Sequence, residues 1–376
     1  MDFNYSEEQR MLADSLRRFI DNEYGFERRR KASRSGTGRD LDAWRTLAGM
    51  GVTGLLVPQD FGGFGESASS LLVVQRELGR GLVCEPVTPS AVMATAVVRG
   101  FGSAAQQARW LEAMAGGECI GALAYLESHG RFDPSAVRTR AVRDGDGYVL
   151  DGRKCLVWHG EAADFLIVSA RLEGTLGQSL FLVPTADTAG LSLAPYPTMD
   201  GHRAADVLLG GVRLGPDALL GEPGEGLAAL QLGLDWGTLA LCAEAAGAME
   251  KLIEITAEYL RTRQQFGVPL GSFQALQHRM ADMLVQKELA LSMAYVAVQA
   301  MDEGNAAQRQ RMLAAAKHTV AKAGRYVGQQ AVQLHGGMGM TDELAVGDYF
   351  KRLTMIDPLL GDCDWQLERY SAVAEL

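Results

Sequence analysis

The sequence predicts an α+β fold in three successive parts: helices over residues 1–117, an antiparallel β domain over 118–221 and a helical bundle over 222–376. Two changes of hydrophobic period predict it. Up to about Gly117, apolar residues recur at three- and four-residue spacing, the signature of one helix face. From about Glu118 to Gly221 short apolar or alternating runs replace them, separated by turn residues. After Glu225 long helical patterns return.

The first part opens on Ser6-Glu7-Glu8-Gln9, which reads as a capping box with Ser6 at the N-cap and Gln9 at N3. Met11, Leu12, Leu16, Phe19 and Ile20 then line one face, as do Trp44, Leu47 and Ala48 further on. A helix that begins so early leaves no room for a leader peptide, so none is expected. Gly49, Gly51, Pro58 and the run Phe61-Gly62-Gly63-Phe64-Gly65 punctuate this part.

In the middle part the expected strands are Cys119–Leu126, Ala136–Arg143, Tyr148–Trp158, Phe165–Ala170, Ser179–Val183 and Asp206–Leu209. Asp144-Gly145-Asp146-Gly147 is a hairpin signal between two of them. No long helical pattern intervenes, which excludes βαβ units, and no G-x-G-x-x-G follows a strand, which argues against a dinucleotide fold. In the last part Leu239–Arg261, Gln274–Gly304 and Ala306–Leu334 read as helices. Ala243, Ala246, Gly247 and Ala248 allow helices to approach closely.

A length of 376 residues predicts two or three domains. The net charge of -10 argues against a nucleic-acid surface, which needs a basic face. The cluster Arg28-Arg29-Arg30-Lys31 is short and reads as a solvated helix end or loop. The five cysteines are scattered, with no C-x-x-C, which fits a reducing cytoplasm. The six histidines are dispersed too, so no metal is expected. No run of about 18 uncharged apolar residues stands out, so no membrane span is expected.

Four features point toward ligand chemistry, and each has a plainer alternative. Arg263 could grip a pyrophosphate through its planar fork, or be a surface arginine at the negative end of a helix. Phe266, before Gly267 and Pro269, offers an aromatic face or a core plug. Gln274 offers an amide to a ligand or to water. Gly336-Gly337 admits close backbone approach, or simply stops a helix after Leu334.

These residues lie in stretches that resemble the acyl-CoA dehydrogenase family. One runs from Tyr259 through Arg263-Gln264-Gln265-Phe266-Gly267-Val268-Pro269 and Phe273-Gln274 to Ala281-Asp282-Met283. The second is Gln333-Leu334-His335-Gly336-Gly337-Met338-Gly339-Met340-Thr341, and Val57-Pro58 with Gly62–Gly65 is a weaker third. The resemblance is colinear over essentially the whole chain. It implies an N-terminal helical domain, a middle β-barrel or sandwich and a C-terminal four-helix bundle. It implies FAD as cofactor, an acyl-CoA thioester as substrate and an electron-transfer acceptor. In the family the flavin lies between subunits. By resemblance, Arg263, Gln265, Phe266, Gln274, Gln333, Gly336 and Gly337 hold the adenosine-diphosphate end of a neighbouring subunit's FAD. Such a site needs at least a dimer, and the family is usually tetrameric.

Family chemistry removes the α-proton of the thioester with a glutamate while the β-hydrogen leaves as hydride. Here Gly361 stands where that glutamate belongs, in the stretch Ile356–Asp364, and Gly237 stands at the alternative position before Thr238. Asp362 and Asp235 adjoin the two vacancies and are the remaining candidates for a base. Leu126 replaces a threonine that bonds the flavin ring, and Trp158 replaces another. Residues for a partner's FAD are thus intact, while those for the chain's own ring and base are altered. The resemblance therefore implies a base-less subunit that pairs with a larger, glutamate-bearing homologue in a heterotetramer. The ending Tyr349–Asp357 with Gly361-Asp362 is most similar to the small subunit of pimeloyl-CoA dehydrogenase and to base-less subunits of other heteromeric members. The alternatives are a self-sufficient homo-oligomeric flavoenzyme with a displaced base, and a non-catalytic scaffold.

Overall fold

Ser6 caps the first helix as its sequence predicts: its hydroxyl accepts from the Gln9 N–H at 3.1 Å, and the Gln9 side chain accepts from the Ser6 N–H. The computed structural model describes residues 5–374. Helices α1 (Glu7–Asn22), α2 (Phe26–Arg34), α3 (Leu41–Gly49), α4 (Ala68–Arg80), α5 (Thr95–Phe101) and α6 (Ala104–Ala115) make up the first part. Strands β1 (Gly121–Ala124), β2 (Arg140–Asp144), β3 (Gly147–Trp158), β4 (Phe165–Leu172), β5 (Ser179–Pro184), β6 (Leu191–Pro197), β7 (Arg203–Leu214) and β8 (Leu219–Leu220) follow. Then come α7 (Gly226–Thr262), the short pair β9 (Gln264–Gln265) and β10 (Val268–Pro269), α8 (Gln274–Met301), α9 (Ala306–His335), α10 (Val346–Ile356) and α11 (Cys363–Ala374).

The strands form a sheet in the order β6-β7-β3-β2-β4-β5-β8, with β1 beside β4. The expected hairpin forms, with Asp144 paired to Gly147 and Gly145 at φ +62 in the loop. The sheet is not wholly antiparallel, because β4 takes both β1 and β2 as parallel neighbours. Parallel neighbours cannot be joined by a tight turn; β1 reaches β4, and β2 reaches β4, only through intervening strands. Strand β6 is absent from the sequence expectation because Pro195 and Pro197 interrupt its pattern. It sits at the sheet edge, where a missing N–H is tolerated.

Helix α7 begins thirteen residues before the expected Leu239. Gly226, Gly233 and Gly237 weaken its signal. Gly233 is there for packing: a Cβ would stand 2.7 Å from Val97 Cγ2 and 3.1 Å from Leu123 Cδ1. By length and composition α7 could cross a membrane, with an apolar window of mean hydropathy 1.3, but 78% of that window is buried within the protein. It reads as a core helix.

The described residues fall into two compact units that do not follow chain order. One holds residues 5–31, 68–83 and 238–374; the other holds 32–67 and 84–237. In the first, α4 and α7 meet backbone to backbone. A Cβ at Gly79 would collide with the Glu244 carbonyl, and one at Gly247 with the Arg76 carbonyl. The buried Arg352 grips Glu244 through two nitrogens at 2.5 and 2.7 Å. Arg76 and Arg80 both bond Glu250, and Arg80 reaches Glu254 as well. These ionic contacts tie α4 and α10 to α7.

Candidate active site

In the first unit, α7 ends at Thr262 and the chain turns through β9 and β10. Phe266 and Gly267 occupy the loop with φ of +56 and +81, the positive values a two-residue hairpin requires. A phenylalanine at positive φ is uncommon, and its ring is 90% exposed, edge-on to Phe273 at 6.1 Å. Phe266 is therefore not a core plug. Arg263 is exposed. Among the described residues no carboxylate pairs with it, while its carbonyl accepts from the Leu270 N–H at 2.8 Å. Helix α8 starts at Gln274 with no side-chain cap and no acidic residue in its first turn. Its free amides and positive dipole end favour an anion. Gln265 and Gln274 are exposed beside these groups.

Tyr259, one turn before Arg263, links this region to the end of α9. Its ring stacks on His335 at 4.3 Å and its hydroxyl donates to the His335 carbonyl at 3.4 Å. His335 Nδ1 lies 2.9 Å from the Ala331 carbonyl and donates to it. Nε2 is thus a bare acceptor, buried, with no hydrogen-bond partner among the described residues; burial lowers the imidazole pKa. Gly336 follows at φ +57, and nothing lies within 4 Å of where a Cβ of Gly336 or Gly337 would be. Gln333 is exposed on the last turn.

In the second unit, Glu127 follows Leu126 just past β1. Its Oε1 accepts from the Thr139 N–H and hydroxyl and from Lys154 Nζ at 2.7 Å; its Oε2 accepts from the Arg138 N–H. Lys154 is fully buried and also donates to Ser169. Burial alone would raise the Glu127 pKa, but the bonds from Lys154 and Thr139 prevail and hold it below its ordinary value. Burial dominates at Lys154 and brings its pKa down to about 8. Trp158, half-buried, faces His202 edge-on at 6.0 Å, and His202 Nδ1 lies 3.3 Å from His159 Nε2. Neither Leu126 nor Trp158 offers the hydroxyl of a threonine.

At the two positions where the resemblance expects a glutamate, the neighbouring aspartates are bonded to their own helices. Asp362 Oδ1 accepts from the Trp365 N–H at 2.9 Å, the bond of a helix N-cap, at the start of α11. Asp235 is 2% exposed within α7, and its Oδ1 accepts from Gln231 Nε2 at 2.7 Å. Gly361 has φ +101 and follows Leu360 at +58. A Cβ at Gly361 would collide with Trp365 Cδ1 and stand 2.9 Å from Gln366 Nε2. Lys317, fully buried, donates to the carbonyls of Asp357 and Gly361 at 2.9 and 3.2 Å. Its pKa is brought down to about 8 by burial. Arg325 and the Cys363 N–H bond the Asp357 carboxylate; burial opposes them, and the net effect lowers its pKa. Gly237 and Thr238 lie on α7, where neither carries an acid.

One unit with a sheet free of βαβ units and another, helical, that presents an anion-ready surface describe a nucleotide-cofactor protein outside the Rossmann class. Three family models match: "Acyl-CoA dehydrogenase, N-terminal domain" over residues 6–118, "middle domain" over 122–212 and "C-terminal domain" over 224–373. The acyl-CoA dehydrogenase FadE12 of Mycobacterium tuberculosis is 30% identical, over 95% of this chain and 94% of its own. The probable acyl-CoA dehydrogenase YngJ of Bacillus subtilis is 28% identical over 92% of each. Among solved structures, a variant of the Tcur3481-Tcur3483 steroid ACAD matches with a TM-score of 0.89 and 32% identity over 98% of each chain. The ChsE4-ChsE5 complex from Mycobacterium tuberculosis matches at 0.90 and 27% over 100% of each. The chain belongs to the acyl-CoA dehydrogenase family of FAD-dependent oxidoreductases.

The residues of the first unit suit the ADP end of that cofactor. Arg263 and the uncapped start of α8 supply positive potential, Gly336 and Gly337 leave open space, and the buried His335 Nε2 can accept a bond. His335 and Tyr259 carried no assigned role in the sequence, although both lie inside the matching stretches. Trp365 and Lys317 gave no signal at all, because nothing in the spacing shows that they close around Gly361.

Proposed function

We propose that this chain is a subunit of an FAD-dependent acyl-CoA dehydrogenase. It supplies the ADP-binding half of a flavin site and pairs with a larger homologous subunit that carries the glutamate base. Arg263, Gln265, Phe266, Gln274, Gln333, Gly336 and Gly337 hold the adenosine-diphosphate end of the partner's FAD. The Arg263 guanidinium and the α8 amides neutralise the pyrophosphate. The chemistry that FAD would supply when bound is acceptance of a hydride from the β-carbon of the acyl-CoA. The α-proton would go to the partner's carboxylate, since Gly237 and Gly361 of this chain carry no acid. Electrons leave to a separate transfer protein.

One observation carries this reading: a Cβ at Gly361 would run into the Trp365 indole, and Asp362 beside it serves as a helix cap. A displaced aspartate base is disfavoured for the same reason at Asp235, which is buried and bonded to Gln231. Two of the similar structures bear paired subunit names, which supports a heteromeric assembly. The likeness of the stretch from Tyr349 to Asp362 to base-less small subunits, that of pimeloyl-CoA dehydrogenase among them, supports it further.

The test is co-expression with a glutamate-bearing family member encoded nearby. The flavin absorbance per chain and the assembly mass are measured with and without the partner. The expected result is a stable heteromer that retains FAD, and acyl-CoA oxidation that requires both chains. Substituting Arg263→Ala removes charged hydrogen bonds worth about 1.5–3 kcal/mol. FAD affinity in the heteromer should fall roughly tenfold to a hundredfold. A homo-oligomer of this chain that binds FAD in every subunit and oxidises acyl-CoA by itself would overturn the proposal.

A further inference from the structure

Three arginines of the second unit share one groove. Arg140 on β2 and Arg171 on β4 are direct register partners on parallel strands. The Arg171 N–H donates to the Thr139 carbonyl at 2.8 Å, which fixes that register. Thr139 points inward, 1% exposed, with its hydroxyl on Glu127. Arg138, just before β2, and Arg140, its first residue, lie on either side of Thr139 and are both exposed. All three arginines are exposed, and with His129, Glu173 and Thr175 they line a groove of about 840 Å³.

Like charges directly opposite on neighbouring strands destabilise a sheet. Among the described residues none of these three guanidiniums has a hydrogen-bonded or ion-paired carboxylate, although Glu173 lines the same groove. The chain as a whole is acidic, with a net charge of -10, so three unpaired arginines here are not a sample of a basic surface. The volume lies in the range of small-molecule sites. Arg138 lies two positions before Arg140, at most about 7 Å along the chain, and Arg171 lies about 4.8 Å to the side of Arg140. Three guanidinium forks so spread match a ligand with more than one phosphate group better than a single carboxylate.

We infer that this groove binds the phosphate groups of a nucleotide-sized anion. The arginines hold the phosphates by charge-assisted hydrogen bonds, and Glu173 sets the negative border of the groove. The two sources of such a ligand are the nucleotide end of a CoA thioester and a free nucleotide or pyrophosphate. The first rests on the acyl-CoA reading; the phosphate site itself does not.

The experiment titrates the purified full-length chain by calorimetry with the adenosine bisphosphate found at the nucleotide end of CoA, with ADP and with inorganic pyrophosphate, at low and physiological salt. The expected result is binding that weakens with salt and falls about tenfold or more in the variant Arg140→Gln with Arg171→Gln. Arg153→Gln serves as the control, since that surface arginine already pairs with Asp206 at 2.7 Å, and it should leave binding unchanged. Preference for the adenosine bisphosphate supports the CoA source, and equal binding supports a general phosphate groove. Loss of the like-charge pair should also leave the melting temperature unchanged or higher. Wild-type binding by the double variant, absence of binding to all three probes, or a lowered melting temperature would each overturn the inference. FAD retention is read separately by absorbance, so failure here is distinct from failure of the flavin reading.

Discussion

Adding a single Cβ at Gly361 separates a vacancy from a closed position. The residue has φ +101, where an L side chain costs about 1–3 kcal/mol. The new methyl would also meet Trp365 Cδ1 and Gln366 Nε2. Such overpacking costs about 1–3 kcal/mol more. Gly361→Ala should therefore lose about 2–6 kcal/mol, and Gly361→Glu a similar amount, because the damage is done at Cβ. Adding Trp365→Ala to Gly361→Ala should recover the packing share and leave the backbone share, a coupling of about 1–3 kcal/mol. Gly337→Ala, with nothing within 4 Å of its Cβ, is the control and should stay within about 0.5 kcal/mol. The assay is urea denaturation followed by far-UV circular dichroism, with acyl-CoA turnover measured on the same preparations. A wild-type midpoint for Gly361→Ala would refute the argument from geometry, and turnover newly acquired by Gly361→Glu alone would refute the argument from function.

The buried pair of the helical unit gives a second prediction: Arg352→Met strands Glu244 in the core and should cost about 3–5 kcal/mol in the same denaturation assay. Gly247→Ala should destabilise by about 1–3 kcal/mol or more, because its methyl overlaps the Arg76 carbonyl where α4 and α7 touch; a neutral result would refute that close approach. Lys317 titrates near 8 when folded against an ordinary 10.5. Between those values the unfolded chain binds more protons, so wild-type stability should rise with pH relative to Lys317→Met, reach its full share above 10.5 and lose it across that window as pH falls to about 8. Denaturation midpoints of both proteins across that window check the sign.

The helix–sheet–helix order was legible because period 3.6 and period 2 are written in the apolar positions of surface-facing elements. The Asp144–Gly147 hairpin and the Ser6 cap were legible because local chemistry alone determines them. Edge strand β6 was not, since Pro195 and Pro197 suit only a strand with one free side, and a free side is a tertiary fact. The first turns of α7 were hidden by its glycines, of which Gly233 is kept for contact with Val97 and Leu123. The parallel pairing of β4 with two neighbours leaves no mark on sequence. At the site, Gly361 itself was legible, but that its surroundings close on it depended on Trp365, four residues away across a turn.

This difference bears on assembly. If every subunit were this chain, each flavin site would join the exposed ADP-binding surface of one copy to the Leu126 and Trp158 segment of another. No site would then contain both an intact nucleotide end and a threonine-lined ring end, and none would have a base. A partner with the opposite pattern changes the count. On the proposed pairing, sites that combine this chain's Arg263 surface with the partner's ring segment would be complete, and the reciprocal sites would retain this chain's Leu126, Trp158 and Gly361. A heteromer should thus hold about half as many FAD molecules as chains, with Arg263→Ala in this chain lowering that occupancy. The same substitution at the matching arginine of the partner should leave occupancy nearly unchanged. Measured flavin-to-chain ratios for the two single variants separate this arrangement from one in which all sites are equivalent, where both substitutions would act alike.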